Sequence, residues 1–150
     1  MTALRWAAVV EAVAALDIRS DLARITVIDV HELPQALTNR DLPLLAPAVD
    51  RAFLSDWTSS RISFQGNTQH VYTLNYALFQ APFAKGRGMF EPFDATVTNL
   101  AAVVDAIQGR VRVDGCKRIE VAGIPQVGLV GDGSDLRYHG GVIALRVTEF

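Results

Sequence analysis

The sequence predicts an α+β fold in which a mainly antiparallel sheet carries two helices packed on one face. Two observations lead there. Two segments, one near the start and one around residue 100, place apolar residues three and four apart, whereas the other apolar residues fall in short β-branched or alternating runs. The order of helix, several strands, helix and two strands lacks the regular β-α-β alternation of a doubly wound parallel sheet. A third observation fixes the scale: 150 residues, 50% hydrophobic and 20% charged, suit one domain spanning 1–150 with a packed core.

Taken in order, residues 4–16 read as an alanine-rich helix with Thr2 as its N-cap and Trp6, Val9, Val10, Val13 and Leu16 on its apolar face. Residues 25–30 are a short β-branched strand. Residues 42–49 are a second apolar run holding Pro43 and Pro47, which predicts an edge strand or extended segment, because proline cannot donate to a ladder. The clearest strand covers 69–79, with His70, Tyr72, Leu74, Tyr76 and Leu78 on one face and Val71, Thr73, Asn75, Ala77 and Phe79 on the other. Gly66-Asn67-Thr68 just ahead of it predicts a hairpin turn.

Residues 81–95 read as a long irregular connection. A second helix follows, capped by Asp94 or Thr96, with a Val97, Leu100, Val104 and Ile107 stripe and Gly109 at its C-terminus. Residues 119–130 form a strand bent near Pro125, Gly131 to Asp135 a tight turn, and 141–150 a terminal strand. Both faces of that last strand are apolar: Val142, Ala144 and Phe150 against Ile143, Leu145 and Val147. Two helices are few for covering two faces, which points to burial against another subunit.

Several function classes are disfavoured. A formal charge of −2 provides no field to gather nucleic acid. The single Cys116 permits no internal disulfide and reads as a structural thiol. The apolar run 7–16, interrupted by Glu11, is too short to cross a bilayer and reads as a soluble helix instead of a signal peptide.

Chemistry-bearing motifs are sparse. Of His31, His70 and His139, none sits in a G-x-S-x-G elbow or beside Cys116, so no nucleophile–base constellation is legible and no catalytic residue is assigned. Asp29, His31 and Glu32 lack the spacing of a zinc helix and read as a solvated turn. Gly131-Asp132-Gly133-Ser134-Asp135 lacks the further ligands of a calcium loop and the lysine of a phosphate loop, so no metal or cofactor is expected. Arg110, Arg112, Lys117 and Arg118, partly balanced by Asp114, read as a solvated cationic stretch. Lys85-Gly86-Arg87-Gly88 followed by Met89 and Phe90 fits a contact arm, since long loops in compact domains often carry function. With Arg146 and Phe150 of the terminal strand, the candidate partner contacts are Lys85, Arg87, Met89, Phe90, Arg146 and Phe150.

Four features together resemble the tail terminator (tail completion) proteins of long-tailed, non-contractile phages: the opening helix of 4–16; the Asp41-Leu42-Pro43-Leu44-Leu45 segment; the strand–loop–helix run of 69–108; and the terminal strand ending Val147-Thr148-Glu149-Phe150. The resemblance spans nearly the whole chain as a pattern of elements, without a signature motif. It implies a virion subunit at the head-proximal end of the tail, assembled in the host cytoplasm as a homo-oligomer, a hexameric ring. Such a ring caps the tail tube, ends tube polymerisation and joins the tube protein to the neck or head-completion protein. DNA passes through its lumen without sequence readout, and no enzyme activity, cofactor or membrane contact is implied. The competing readings are a small ligand-binding or enzymatic α+β domain with a site around His31, His70 or His139, and a monomeric adaptor.

Overall fold

The computed structural model describes residues 4–28, 42–61, 68–84, 88, 90–133 and 136–150. In chain order the elements are α1 (Trp6–Ala14), β1 (Ile18–Arg19), β2 (Arg24–Val27), β3 (Leu44–Pro47), β4 (Leu54–Arg61), β5 (Thr68–Pro82), α2 (Phe90–Ile107), β6 (Cys116–Gly131) and β7 (Arg137–Glu149). The strands form one sheet in the order β1-β2-β3-β5-β7-β6, with β4 added to the same side of β5 as β3.

The expectation of a mainly antiparallel sheet with two helices on one face is corrected. Of the described residues 51% are strand and 21% helix, and the sheet is mixed and curled into a half-barrel. The mixing enters at β2 and β3, which pair in parallel (Thr26↔Leu44, Val27↔Leu45). Parallel neighbours need a long crossover in place of a hairpin, and residues 28–43 supply the length. The curl has its own local cause. The β6–β7 ladder shifts register at three places, between Cys116 and Arg118, Val121 and Gly123, and Gly123 and Gln126, and β5–β7 shifts between Phe79 and Ala81. Each irregularity bends a strand and increases its twist.

Burial follows from alternation along β5. Tyr72, Leu74, Tyr76 and Leu78 are buried in one cluster with Val9 and Val13 of α1, Leu100, Val103, Ala106 and Ile107 of α2, and Ile143, Leu145 and Val147 of β7. Ala77 and Phe79, of the opposite parity, join a second cluster with Leu44, Ala46, Val130, Tyr138 and Val142. Leu44 of β3 and Val130 of β6 share that cluster although β5 and β7 lie between their strands, which is what curling accomplishes. Thus the second apolar face of β7 is covered at its Val142 end by the chain's own sheet, and the expectation that another subunit must cover it is corrected there. Each large side chain so buried contributes about 1.5–3 kcal/mol.

Other expectations change in detail. β3 is an interior strand between β2 and β5 and not an edge; its prolines sit just before it (Pro43) and at its last residue (Pro47), where they remove little from the ladders. Thr2 lies outside the described residues; Arg5 occupies the N-cap of α1 without a side-chain cap. Its backbone N–H instead donates to Glu149 Oε2 at 2.8 Å, placing a buried carboxylate at the helix's positive end. α2 begins at Phe90, so Asp94 and Thr96 lie inside the helix, and Thr96 Oγ1 donates to the Pro92 carbonyl at 2.6 Å. The buried stripe of α2 is Thr96, Asn99, Leu100, Val103, Ala106 and Ile107, with Val97 exposed. The predicted loop of 81–95 shrinks at both ends to strand and helix, and Gly109 ends α2 with φ 73°. The turn expected at Gly66-Asn67 lies outside the described residues, but Arg61 pairs with Thr68, so β4 and β5 form the hairpin.

Candidate functional site

β3 and β4 lie end to end along one side of β5, interrupted by residues 48–53. The interruption is held by one buried side chain. Asn75 accepts from Ala48 N–H through its carbonyl (2.9 Å) and donates its own N–H to the Phe53 carbonyl (2.7 Å). Its Nδ2 donates to the Ala52 carbonyl (2.9 Å) and Ser55 Oγ (3.1 Å). From the inner side the bulge is braced by aromatic edges: Trp6 meets Phe53 at 6.3 Å and Phe53 meets Tyr76 at 5.6 Å. Asp50 and Arg51 are exposed on the bulge.

Below the bulge the half-barrel opens into a groove of about 440 Å³. Thr73 and Asn75 of β5 and Ala144 and Arg146 of β7 lie along it with Arg51, Ser55 and Asp56, facing Ala122, Gly123, Ile124 and Pro125 of β6. Asp56 has a positive φ of 55°, unusual outside glycine, at the register shift between Ser55 and Thr58. A second hollow, next to the first, is bounded by Asp50, Arg51, Gln126, Val130 and Val142. The concave side thus presents both charge signs, with Arg51, Asp56 and Arg146 on the groove and Asp50 on the neighbouring hollow. Such a surface suits reversible polar contact, since exposed pairs are worth little individually.

The predicted contact residues are dispersed. Arg146 reaches this groove. Phe150 is 67% exposed, with its backbone N–H on the Gly115 carbonyl. Phe90 opens α2. Lys85, Arg87 and Met89 lie outside the described residues, as do Asp29, His31 and Glu32.

The histidines do not converge. His70 and His139 stand at opposite ends of the β5–β7 ribbon, ten residues apart along β7, or roughly 30 Å. His70 Nδ1 lies 2.7 Å from Ser59 Oγ and accepts the Trp57 indole N–H at 3.3 Å. Two donors compete there for one ring nitrogen, and among the described residues no carboxylate orients the ring as a hydrolytic dyad requires. His139 is buried with its ring edge-on to Phe83 at 5.7 Å.

Cys116 opens β6 opposite Glu149. Burial pushes its thiol pKa up, and the Glu149 charge adds to that against the opposing Arg5, which disfavours a reactive thiolate. Glu149 also accepts the Tyr72 hydroxyl, tying β5, β7 and α1 together. Asp132 accepts from the Tyr138 hydroxyl at 3.3 Å and braces the β6–β7 turn. Among the described residues no three metal-ligating groups cluster, and no helix is long and apolar enough to cross a membrane.

Sequence reasoning missed the bulge and its Asp50, Arg51 and Asn75. The available signal was Asn75 itself, a polar residue in the middle of an apolar strand.

The outer border of the groove is β6, the last strand of the sheet. Ile124, Val127 and Leu129 are exposed on it (41%, 39% and 37%). From Val121 to Gly131 the chain carries no charged side chain. No protein-family profile matches this chain and no curated protein matches it in sequence.

Proposed function

We propose that this chain is a non-enzymatic structural subunit that assembles with copies of itself into a ring of the tail-terminator kind. The ring would cap a phage tail tube, end its polymerisation and join it to the head-side neck, at the head-proximal end of the virion tail. The observation that carries the reading is the open edge of β6, 16 residues long. Edge strands are templates for pairing, and stable monomers ordinarily blunt them with charge, brevity or cover. Among the described residues the devices on the second half of the strand are Pro125, the bulges and one side-chain bond from Gln126 Nε2 to the Leu129 carbonyl, and three apolar side chains accompany the rest of the edge. The mixed-charge groove beside that edge gives a polar surface for tube or neck protein, and DNA would pass the ring without base readout. The hexameric count and the tail setting rest on the resemblance in element order.

Negative-stain imaging of the purified chain, alone and mixed with tail tubes, tests the reading. Rings, or a distinct cap at one end of each tube, are expected. Particles that stay monomeric and leave tube ends bare would overturn it.

A further inference from the structure

Resting on that assembly reading, we propose that the seam between copies is a continuous antiparallel sheet, in which the outer edge of β6 in one copy pairs with the outer edge of β4 in the next. Among the described residues β6 pairs only with β7 and β4 only with β5. Across this part of the molecule the strands run β4-β5-β7-β6, and every neighbouring pair is antiparallel. Four alternating strands leave β4 and β6 running in opposite directions. A rotation that sets a second copy alongside without inverting it therefore brings its β4 antiparallel to the first copy's β6. That contact is heterologous, the kind that closes into rings, whereas β6 on β6 would need a two-fold axis and stop at a dimer.

Side-chain chemistry agrees. Register places Ser59, His70, Glu149 and Cys116 at one level across the ribbon, through Ser59↔His70, His70↔Glu149 and Cys116↔Glu149. Around that level β4 presents exposed Asp56 and Trp57, and β6 presents exposed Lys117 and Arg118. Opposite charges and a cation beside an indole are favourable cross-strand neighbours. Residues 126–131 lie further along, level with β3 through Gln126↔Val142, Ala77↔Val142 and Ala46↔Ala77, and so fall beyond the end of the β4 seam.

The test is a pair of edge variants examined by light scattering during gel filtration. Lys117→Asp with Arg118→Asp reverses the charges of the β6 edge, and Thr58→Lys with Ser60→Lys places charges on β4 at the level of Arg118 (Thr58↔Val71, Val71↔Thr148, Arg118↔Thr148). Each alone is expected to lose the ring while keeping wild-type circular dichroism. Mixed one to one, they are expected to regain rings of alternating subunits, because each altered edge then meets its opposite charge. Carbodiimide cross-linking of mixed heavy- and light-isotope wild-type protein gives a readout that needs no variant, with Lys117 joined to Asp56 between copies. Rings that persist in either variant, a mixture that stays monomeric, or no Lys117–Asp56 link between copies in wild-type rings would overturn the seam and leave the assembly reading standing. Wild-type protein that is monomeric with and without tubes overturns both.

Discussion

The two faces of β5 have different tasks, although their residues alternate along one strand. Towards the helices, Tyr72, Leu74, Tyr76 and Leu78 are sealed among side chains from α1, α2 and β7. On the concave side only Ala77 and Phe79 are sealed; Val71 and Thr73 are partly open, and Asn75 is spent on holding the bulge. The closed face holds the fold together, and the open face is left for contact. Stability should therefore depend on substitutions on the first, and assembly on substitutions along the second and its borders.

The largest expected effect is at Gly140, where β7 passes so close to β5 that an added Cβ would meet the Leu78 carbonyl oxygen at 1.9 Å. Gly140→Val should abolish soluble folded protein, judged by expression and circular dichroism. Truncations on the closed face come next. Leu74→Ala or Leu145→Ala should each cost about 2–5 kcal/mol in urea unfolding. Arg146→Ala on the open face should stay within about 0.5 kcal/mol, and equal losses on the two faces would break the comparison.

Asn75→Ala should fall between these, at about 1–3 kcal/mol, by leaving bulge groups unpaired. If Asn75 only fills space, Asn75→Leu would restore the loss.

A smaller effect lies in pH. The Tyr72 hydroxyl is pushed well above its ordinary 10.0, first by burial, then by its hydrogen bond to Glu149 and that carboxylate's charge. The unfolded chain releases this proton near its ordinary pKa of about 10, and the folded chain keeps it. The contribution is fully present below that pH and is lost as pH rises beyond it, because the folded state then binds more protons. Tyr72→Phe should flatten this alkaline decline in chemical denaturation midpoints; an unchanged slope would place its origin elsewhere.

How much of this was legible in the sequence follows the same division. Alternation along 69–79 assigned Tyr72, Leu74, Tyr76 and Leu78 to one face because a period of two leaves no other choice. The α1 stripe was legible for the same kind of reason. The curl was not, because it arises from register shifts around Gly123 and Pro125 whose sum no local pattern encodes. Nor was the parallel pairing of β2 with β3, which a long crossover decides. The α2 stripe was misplaced onto Val97 because Thr96 and Asn99, polar by type, are the buried residues there. Asn99 is satisfied inside, with Nδ2 on Gln80 Oε1 and Oδ1 accepting from Ser20 Oγ, each at 2.5 Å. At the site, Arg146 was legible as a charge on an apolar strand, while Asp50 and Arg51 depend on a bulge that Asn75 specifies from more than twenty residues away.

The most direct test is hydrogen–deuterium exchange followed across a concentration series through the onset of assembly. Amides of β5 between residues 71 and 79 should be protected at every concentration, since β5 is paired on both sides. Outward-facing amides of β6 between residues 117 and 120 should exchange quickly in the dilute monomer and slow as rings form. If exchange at 117–120 does not change while rings accumulate, the open edge of β6 is not where copies meet.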